Sequence, residues 1–264
     1  MLELKLEFDE VDDRTNADVM LEQIEFSDII VLNRAIDLDR EQLQRTRSLI
    51  EWLNPRALIL EVPPEGVNRE FIEEYLRLSD AVAFEFDDAA EGAGWIQVLA
   101  NSHPKLDRGA GVSAIAIRAR RPLHPGRFLE FINSLSKHKI SRIKGWIWVA
   151  TRNGEIGVWS VAGRSSILAA SGAWMAATPM REWPDDPLER DEIMRDWVPP
   201  HGDRRQELSI IGFDLNELEL RRSFKSCMLT DEEFEMGLEV WAKWADPLPD
   251  WSVDEGEDFD GLLQ

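Results

Sequence analysis

Residues 144–163 read KGWIWVATRNGEIGVWSVAG and form the most informative stretch of the chain. Its two flanks, IKGWIWVAT (143–151) and EIGVWSVAG (155–163), alternate apolar with small or polar side chains, which is the period of a β-strand. Gly154 lies between the flanks, at the spacing of a hairpin turn. The stretch therefore predicts two neighbouring antiparallel strands.

Similar strands are predicted on both sides of this hairpin. GVSAIAIRAR (111–120) and QELSIIGFD (206–214) alternate in the same way, and SSILAAS and GAWMAAT follow the hairpin as two more short strands. Helices are predicted between strands, one beginning at Pro125 and one over Asn216–Ser226. We therefore expect residues 111–245 to form an α+β domain built on an antiparallel sheet.

The first 86 residues follow a different pattern, in which strands and helices alternate. Leu2–Phe8 alternate as a half-buried strand does, and Thr15 with Asp18 resembles the capping box that opens a helix. DIIVLN (28–33) and ALILEV (57–62) are short apolar runs, typical of parallel strands that are buried on both faces. This part of the chain is therefore predicted to be a piece of a parallel α/β sheet.

Two segments differ in composition from the folded parts. Residues 87–110 are rich in Gly, Ala and Asp, which predicts a linker around one short helix. Residues 246–264 are acidic and contain no Lys or Arg, which predicts a tail with a disordered end. The expected fold class is α/β plus α+β, with residues 1–86 and 111–245 as the two folded parts.

Charge and cysteine content exclude several classes of function. The net charge is -21 and the pI is about 4.6, so the surface repels phosphate backbones and anionic lipids, and we expect no nucleic-acid or membrane partner. Cys227 is the only cysteine, which excludes a disulfide framework and a cysteine-based zinc cluster. The sequence shows neither a signal-peptide pattern nor an apolar run that could span a bilayer, so we expect a cytoplasmic protein.

Aromatic and charged residues leave several alternatives open in the second half. Nine of the 11 tryptophans lie between Trp146 and Trp251. They could form an aromatic recognition face, but the favoured interpretation is that their rings pack between a sheet and its helices. The block GDRRQEL (202–208) favours an ion-pair network or a contact to the first half over catalysis, because no nucleophile–base pair accompanies it.

The four histidines lack the i, i+4 spacing of a zinc-binding helix. A metal site that joins His201 and Asp203 in space stays open, although their spacing does not favour it. His124 precedes Pro125 at a predicted helix start, where capping or packing is favoured over metal ligation. Cys227 is favoured as a small buried apolar residue rather than a reactive thiol.

Five blocks, in order, carry a resemblance to a known family. They are DDRTNADVMLEQIEFSDIIVLN (12–33), ARRPLHPGRFLEFI (119–132), KGWIWVATRNGEIGVWSVAG (144–163), GDRRQELSIIGFDL (202–215) and CMLTDEEFEMG (227–237). The first resembles the part of CobW-type GTP-dependent metallochaperones that leads into their guanine-reading motif, and the others resemble that family's C-terminal domain. The resemblance implies a truncated parallel G-domain sheet in residues 1–86, followed by a complete CobW C-terminal domain with an antiparallel sheet flanked by helices.

The resemblance also implies an activity, in which GTP and Mg²⁺ drive delivery of zinc or cobalt to a client metalloprotein. The family's phosphate loop ends in Gly-Lys-Ser/Thr, but the first glycine of this chain is Gly66 and no Gly-Lys pair occurs in it. The CxCC metal motif of many members needs three thiolates, and this chain has one cysteine. We therefore expect that the isolated chain does not hydrolyse GTP.

One nucleotide-binding element is kept in altered form. The family's Asn-Lys-x-Asp motif corresponds here to Asn33-Arg34-Ala35-Ile36-Asp37, which is one residue longer. The extra residue displaces Asp37 by roughly 3.3 to 3.8 Å, more than a hydrogen bond to guanine tolerates. Asn33 and Asp37 are thus candidate guanine-binding residues, with loop shaping and helix capping as the favoured role.

Two functions follow from this resemblance. In the first, the chain is a non-catalytic binding module for a client metalloprotein or a full-length CobW-type paralogue, or it self-associates through an exposed sheet edge. In the second, it is the C-terminal piece of a split GTPase that is active only with the phosphate-loop half. A truncated sheet also leads us to expect weak hydrogen-exchange protection over the first 80 residues.

Overall fold

The computed structural model describes residues 15–81, 86–103 and 110–253. The helices of this part are α1 (Asn16–Phe26), α2 (Arg40–Leu53), α3 (Arg69–Ala81), α4 (Phe86–Gly92), α5 (Gly94–Leu99), α6 (Pro125–Ser134), α7 (Pro187–Arg195), α8 (Glu217–Cys227), α9 (Asp231–Glu235) and α10 (Leu238–Trp241). The strands are β1 (Ile29–Leu32), β2 (Leu58–Glu61), β3 (Val112–Ala119), β4 (Lys139–Ile147), β5 (Glu155–Ala162), β6 (Ser165–Ala173), β7 (Gln206–Phe213) and β8 (Ser252–Val253). The strand predicted at Leu2–Phe8 and the end of the predicted tail, 254–264, lie outside these residues.

The N-terminal part contains the predicted parallel strand pair. The predicted capping box at the start of α1 is confirmed, since the Thr15 hydroxyl and the Asp18 carboxylate each bond the other's backbone N–H. Strands β1 and β2 pair in parallel, with Ile29 opposite Leu58. The expectation that both strands are buried on both faces is wrong. Val31 and Leu58 are 41% and 40% exposed, because the described sheet has only these two strands and little covers them.

The C-terminal part is built on a six-stranded sheet in the order β3-β7-β4-β5-β6-β8. All neighbours are antiparallel except the short pair β6–β8, which confirms the predicted antiparallel sheet. The prediction of a strand at GAWMAAT is wrong. Strand β6 continues to Ala173, and Met175–Ala177 form a 3-10 turn whose first two N–H groups donate to the Asp203 carboxylate at 2.8 and 2.9 Å.

Helices from both halves of the sequence cover the two faces of this sheet. Adjacent residues of a strand point to opposite faces, and in β7 these are Ile210 and Ile211. Ile210 belongs to the core cluster that includes α6 and α8, through residues such as Phe128 and Phe224. Ile211 belongs to a second cluster that includes α1 and α2, through Leu21 and Leu53. The N-terminal helices are therefore part of the core of the C-terminal sheet.

The segment predicted as a linker, 87–110, packs against this core. Where it is described it contains two helices, α4 and α5, with Trp95 and Leu99 buried. A side chain at Gly94 would place its Cβ 1.9 Å from the carbonyl oxygen of Trp52. Glycine is thus required where α5 begins against the end of α2, and the high glycine content reflects close packing.

The acidic tail begins with packed residues. Leu248 is buried, and the Asp246 carboxylate accepts hydrogen bonds from Thr151 and Arg152 at 2.7 and 2.8 Å. Strand β8 then pairs with β6. Residues 246–253 thus belong to the folded part.

The favoured interpretation of the crowded tryptophans is confirmed for those in the core. Trp148, Trp159, Trp174 and Trp241 are each at most 2% exposed. Three of the four indole N–H groups have a partner, among them Trp241, which donates to the backbone oxygen of Glu233 at 2.7 Å. None of the described helices is both long and apolar enough to cross a membrane.

Hydrogen exchange should divide the N-terminal part into two zones, which revises the uniform weak protection expected from the sequence. Amides of α1 and α2 should exchange as slowly as those of the C-terminal sheet, because Leu21 and Leu53 are buried against it. Amides of α3 should exchange fast, since none of its described side chains is fully buried. Exchange of the isolated chain followed by mass spectrometry measures this. Equally fast exchange over α1, α2 and α3 would contradict the shared core.

Candidate functional site

The candidate guanine-binding residues lie in one loop at the carboxyl end of β1. Ligands of open α/β sheets bind outside the carboxyl ends of parallel strands, so the loop has the expected position. After β1 the chain turns through Arg34, which has a φ of 61°, and then forms a 3-10 turn over Ala35–Asp37. Asn33 and Asp37 are both exposed in this loop.

The carboxylate of Asp37 is held within its own loop. The Arg34 guanidinium contacts one Asp37 oxygen through two nitrogens, both at 2.6 Å, with side chains 80% and 49% exposed. Guanine recognition by this carboxylate therefore requires displacement of Arg34. The predicted helix-capping role belongs to another residue, since Asp39 caps α2 and accepts from the Gln42 backbone at 2.8 Å.

An exposed apolar surface lies on the same part of the chain. We define the open surface as the exposed apolar side chains of the strand pair, Val31 and Leu58; helix α3 carries three more exposed apolar side chains, Ile72, Tyr75 and Leu76. Paired residues of parallel strands share a face, so Val31 and Leu58 lie on the same side of the sheet. The three α3 residues follow i, i+3, i+4 spacing and form one stripe of that helix. The spacing was available in the sequence, but only the structure shows that the stripe is exposed.

The charged block 202–208 forms a structural network. Both oxygens of Asp203 accept backbone N–H groups, as described for the 3-10 turn. Glu207 accepts from Arg205 at 2.8 Å and from Arg118 at 2.9 Å. Burial alone would raise the pKa of Glu207, but the hydrogen bonds from these two arginines outweigh it and lower the pKa. The ion-pair interpretation is confirmed.

His201 and Asp203 are not arranged as a metal site. The His201 ring packs against Trp148 and Phe234, with centroid distances of 5.2 and 4.9 Å. Burial and the nearby Arg204 charge lower the pKa of His201. Within the described ranges, no group of three or more His, Cys, Asp or Glu side chains could hold a metal ion.

A polar cluster joins the start of α6 to α9. His124 caps α6, since its Nδ1 accepts from the Gly126 and Arg127 backbone at 3.1 and 3.4 Å, which confirms the predicted capping role. Arg127 donates to both Glu233 oxygens, at 2.8 and 2.6 Å. This hydrogen bonding lowers the pKa of Glu233 to about 2.

Cys227 ends α8 on its buried side. Its Sγ contacts the backbone oxygens of Ser223 and Arg127 at 3.3 and 3.5 Å. Burial raises the pKa of the thiol to about 12. The interpretation of Cys227 as a buried, unreactive side chain is confirmed.

One ion pair, that of Glu25 and Arg142, was not predicted from the sequence. The two side chains are fully buried and 117 residues apart, and the Arg142 Nε and Nη2 atoms donate to the two Glu25 oxygens, each at 2.8 Å. Charged residues are usually exposed, so neither position was a candidate. The pair joins α1 to β4 across the two halves of the sequence.

The stabilisation that the Arg127–Glu233 pair contributes should be lost in acid, at a pH below the range in which an ordinary glutamate becomes protonated. The pKa of Glu233 is about 2 in the folded protein against an ordinary value of 4.5, so the contribution is fully present above pH 4.5 and is lost as the pH falls towards 2. The difference in unfolding free energy between the wild type and Glu233→Gln should therefore be constant from pH 7 to 5 and shrink below that. Urea unfolding at a series of pH values measures it, with the exposed neighbour in Glu232→Gln as control. A difference that stays constant down to pH 3 would contradict the assignment.

Cys227 should resist alkylation in the native protein. A thiol with a pKa near 12 has almost no thiolate at pH 8, and its burial also blocks the reagent. Iodoacetamide should modify the chain in urea at least a hundredfold faster than in buffer. Mass spectrometry against time follows the reaction, and similar rates in the two conditions would show that α8 does not bury this side chain.

Comparison with known proteins identifies the C-terminal part. Residues 112–228 match the family model described as cobalamin synthesis protein cobW C-terminal domain. The zinc-regulated GTPase metalloprotein activator 1 of Dictyostelium discoideum is 32% identical over 240 residues, which are 90% of this chain and 49% of that protein. A zinc chaperone of Mycobacterium tuberculosis is 29% identical over 248 residues, 92% of this chain and 56% of that protein. The chain thus spans about half the length of the curated relatives it matches.

Among solved structures, the Zn(II)-bound YjiA GTPase from E. coli aligns with 80% of this chain and 55% of that chain, at 15% identity and a TM-score of 0.36. The family-model match begins with β3 and ends one residue after α8. It therefore covers the central strands of the large sheet and the helices on one of its faces. Residues 112–228 of the chain therefore carry the C-terminal domain of the CobW family.

Proposed function

We propose that residues 15–253 act as the C-terminal half of a zinc-related CobW-type metallochaperone. In this proposal they form a partner module without phosphate chemistry of their own. The half that carries the phosphate loop supplies GTP and Mg²⁺ binding, either as a separate chain or as another part of the same protein. The open surface is the place where the two halves meet.

The observation that carries the proposal is the parallel sheet, which has two strands, β1 and β2, among the residues that the structure describes. A two-stranded sheet is marginal by itself, and parallel sheets are normally covered on both faces. Here α1 and α2 pack on the C-terminal sheet, while Val31 and Leu58 of the strand pair stay exposed. Further parallel strands would pair with the outer edges of β1 and β2, which have no strand beside them in the described part of the chain, and would cover this apolar area.

The amino-acid sequence supports assigning phosphate binding to another half. Phosphate binding needs a glycine-rich anion cradle and a lysine, and no Gly-Lys pair occurs among the 264 residues. The matched relatives are about twice as long as the matched region, so an additional half of comparable size exists in proteins of this family. We assign the phosphate loop to such a half.

Zinc is the metal that the proposal favours over cobalt. The Dictyostelium relative is named as zinc-regulated and the Mycobacterium relative as a zinc chaperone. Cys227 is buried, and no described cluster of side chains suits a metal ion. We therefore place the metal cargo on the phosphate-loop half or on the client metalloprotein.

A second candidate function follows from the Arg34–Asp37 ion pair. This contact occupies the carboxylate that would bind guanine. If it persists in the assembled protein, the chain serves as a binding module for a client metalloprotein or a full-length paralogue without contributing to guanine recognition.

Reconstitution tests the proposed function. The isolated chain should release no phosphate from GTP, and addition of the phosphate-loop half of a full-length CobW-type paralogue should raise the rate above the sum of the two separate rates. Val31→Glu should abolish this gain, because it places a charge on the open surface, but should leave the thermal midpoint of the lone chain unchanged since Val31 is 41% exposed.

Met180→Glu is the matched control, since it changes a side chain that is 77% exposed in the C-terminal part. It should leave the reconstituted rate unchanged. Phosphate release is measured with a coupled assay, with and without Mg²⁺. Hydrolysis by the lone chain would overturn the proposal, and so would the absence of both rate gain and association when the halves are mixed. Association without a rate gain would favour the second candidate function.

A further inference from the structure

The buried pair of Glu25 and Arg142 joins the two halves of the chain through a bidentate contact. Both side chains are 0% exposed. The two Glu25 oxygens accept from Nε and Nη2 of Arg142, each at 2.8 Å. The remaining end of the guanidinium, Nη1, donates to the Ser160 hydroxyl on β5 at 3.0 Å. Arg142 is thus fixed on the sheet, and Glu25 is fixed against it.

Stability alone does not account for such a pair. Removing two charges from water costs free energy that their attraction often fails to recover, so apolar residues of similar volume are commonly as stable or more stable there. The pair can instead specify how α1 lies relative to the sheet. A bidentate contact between a guanidinium and a carboxylate is satisfied in one relative position, which makes it directional.

The surrounding contacts lack this directionality. Around the pair, α1 and α2 meet the sheet through apolar side chains such as Leu21, Leu53 and Ile211. Burial of apolar area depends little on the exact placement of the helix. A shift of α1 along or around its axis would keep much of that burial, but it would leave Glu25 and Arg142 buried without partners.

Contacts at the end of α1 also hold the strand pair, so the position of α1 determines where β1 begins. The Asn54 side chain, at the end of α2, donates to the backbone oxygens of Ile24 and Ser27 at 2.8 and 2.7 Å. Asp28 then forms an ion pair with Arg56 immediately before β1 begins. Glu25, which fixes α1 on the sheet, therefore also fixes the start of β1. Through β1 it fixes the 33–37 loop at the carboxyl end of that strand.

We propose that Glu25 is a positioning residue, and that the Glu25–Arg142 pair selects the single register in which α1 docks on the C-terminal sheet. Through α1, the pair sets where the strand pair and the 33–37 loop lie relative to the CobW C-terminal domain. This inference goes beyond the proposed function and does not depend on nucleotide binding or on a second chain.

An exposed ion pair between the same two halves offers a matched comparison. Arg45 of α2 lies 3.7 Å from Asp214, after β7, with side chains 32% and 51% exposed. Solvent-exposed pairs of this kind contribute little, and long side chains follow small shifts of their elements. Only the buried pair should define the register.

The test measures the distance between α1 and α8 in the full chain. Cys227 is replaced by alanine, and spin labels are attached through Met20→Cys and Lys225→Cys, both at exposed positions on helices. Double electron–electron resonance then gives the distribution of label distances. The parent protein should give one narrow peak, and Asp214→Asn should leave it unchanged.

The decisive variant is Glu25→Met combined with Arg142→Met, which keeps the volume and removes both charges. Its thermal midpoint should stay within about 5 °C of the parent, because the apolar pair replaces the ion pair. Its distance distribution should broaden or split, since several registers become accessible. An unbroadened single peak in this folded variant would overturn the proposal.

A single substitution keeps the test decisive if the double variant does not fold. Glu25→Gln leaves the Arg142 charge buried and should lower the thermal midpoint by about 10 °C or more. Below that midpoint, the folded protein should again show a broadened distribution. A lower midpoint with an unchanged narrow peak would mean that the pair only stabilises the fold, and this outcome would also overturn the proposal.

Discussion

The central sheet of this protein has two apolar faces, and both must be covered. Ile210 and Ile211, neighbours on β7, point into different core clusters. Helices α6 and α8, from the CobW C-terminal domain itself, cover the first face. The second face is covered by α1, α2 and α5, which precede that domain in the sequence. The requirement to bury the second face therefore ties the N-terminal part to the C-terminal part.

This requirement also explains what the N-terminal part leaves exposed. Leu21 of α1 and Leu53 of α2 are buried against the C-terminal sheet and not against β1 and β2. The strand pair keeps Val31 and Leu58 in contact with water, and α3 keeps a stripe at Ile72 and Leu76 exposed. Exposed apolar side chains of this kind support the proposal that another part of the protein or a partner covers them.

Local patterns predicted most of the elements from the sequence. The alternation around Gly154 predicted β4 and β5, and Pro125 predicted the start of α6. The capping box at Thr15 is a contact over three residues, so it is visible in the sequence itself. The role of His124 as a helix cap was predicted for the same reason.

The errors concern features that depend on distant residues. GAWMAAT has the composition of a strand, but Asp203 binds the backbone of Met175 and turns the chain there. The glycines of the predicted linker suggest flexibility, whereas Gly94 is needed because the backbone of Trp52 lies against it. The Glu25–Arg142 pair spans 117 residues, and each charge taken alone indicates an exposed position.

The candidate site shows the same division between local and distant determinants. Sequence predicts that Asn33 and Asp37 share a loop, because they follow a strand by one and five residues. It does not predict the direction in which that loop faces, because β1 has only one neighbour in the described sheet and is held mainly through α1. The orientation of α1 depends in turn on a carboxylate that binds an arginine of the C-terminal domain. The position of the 33–37 loop is therefore a property of the C-terminal domain, and in the proposed assembly the half that docks on the open surface meets a loop that is already oriented.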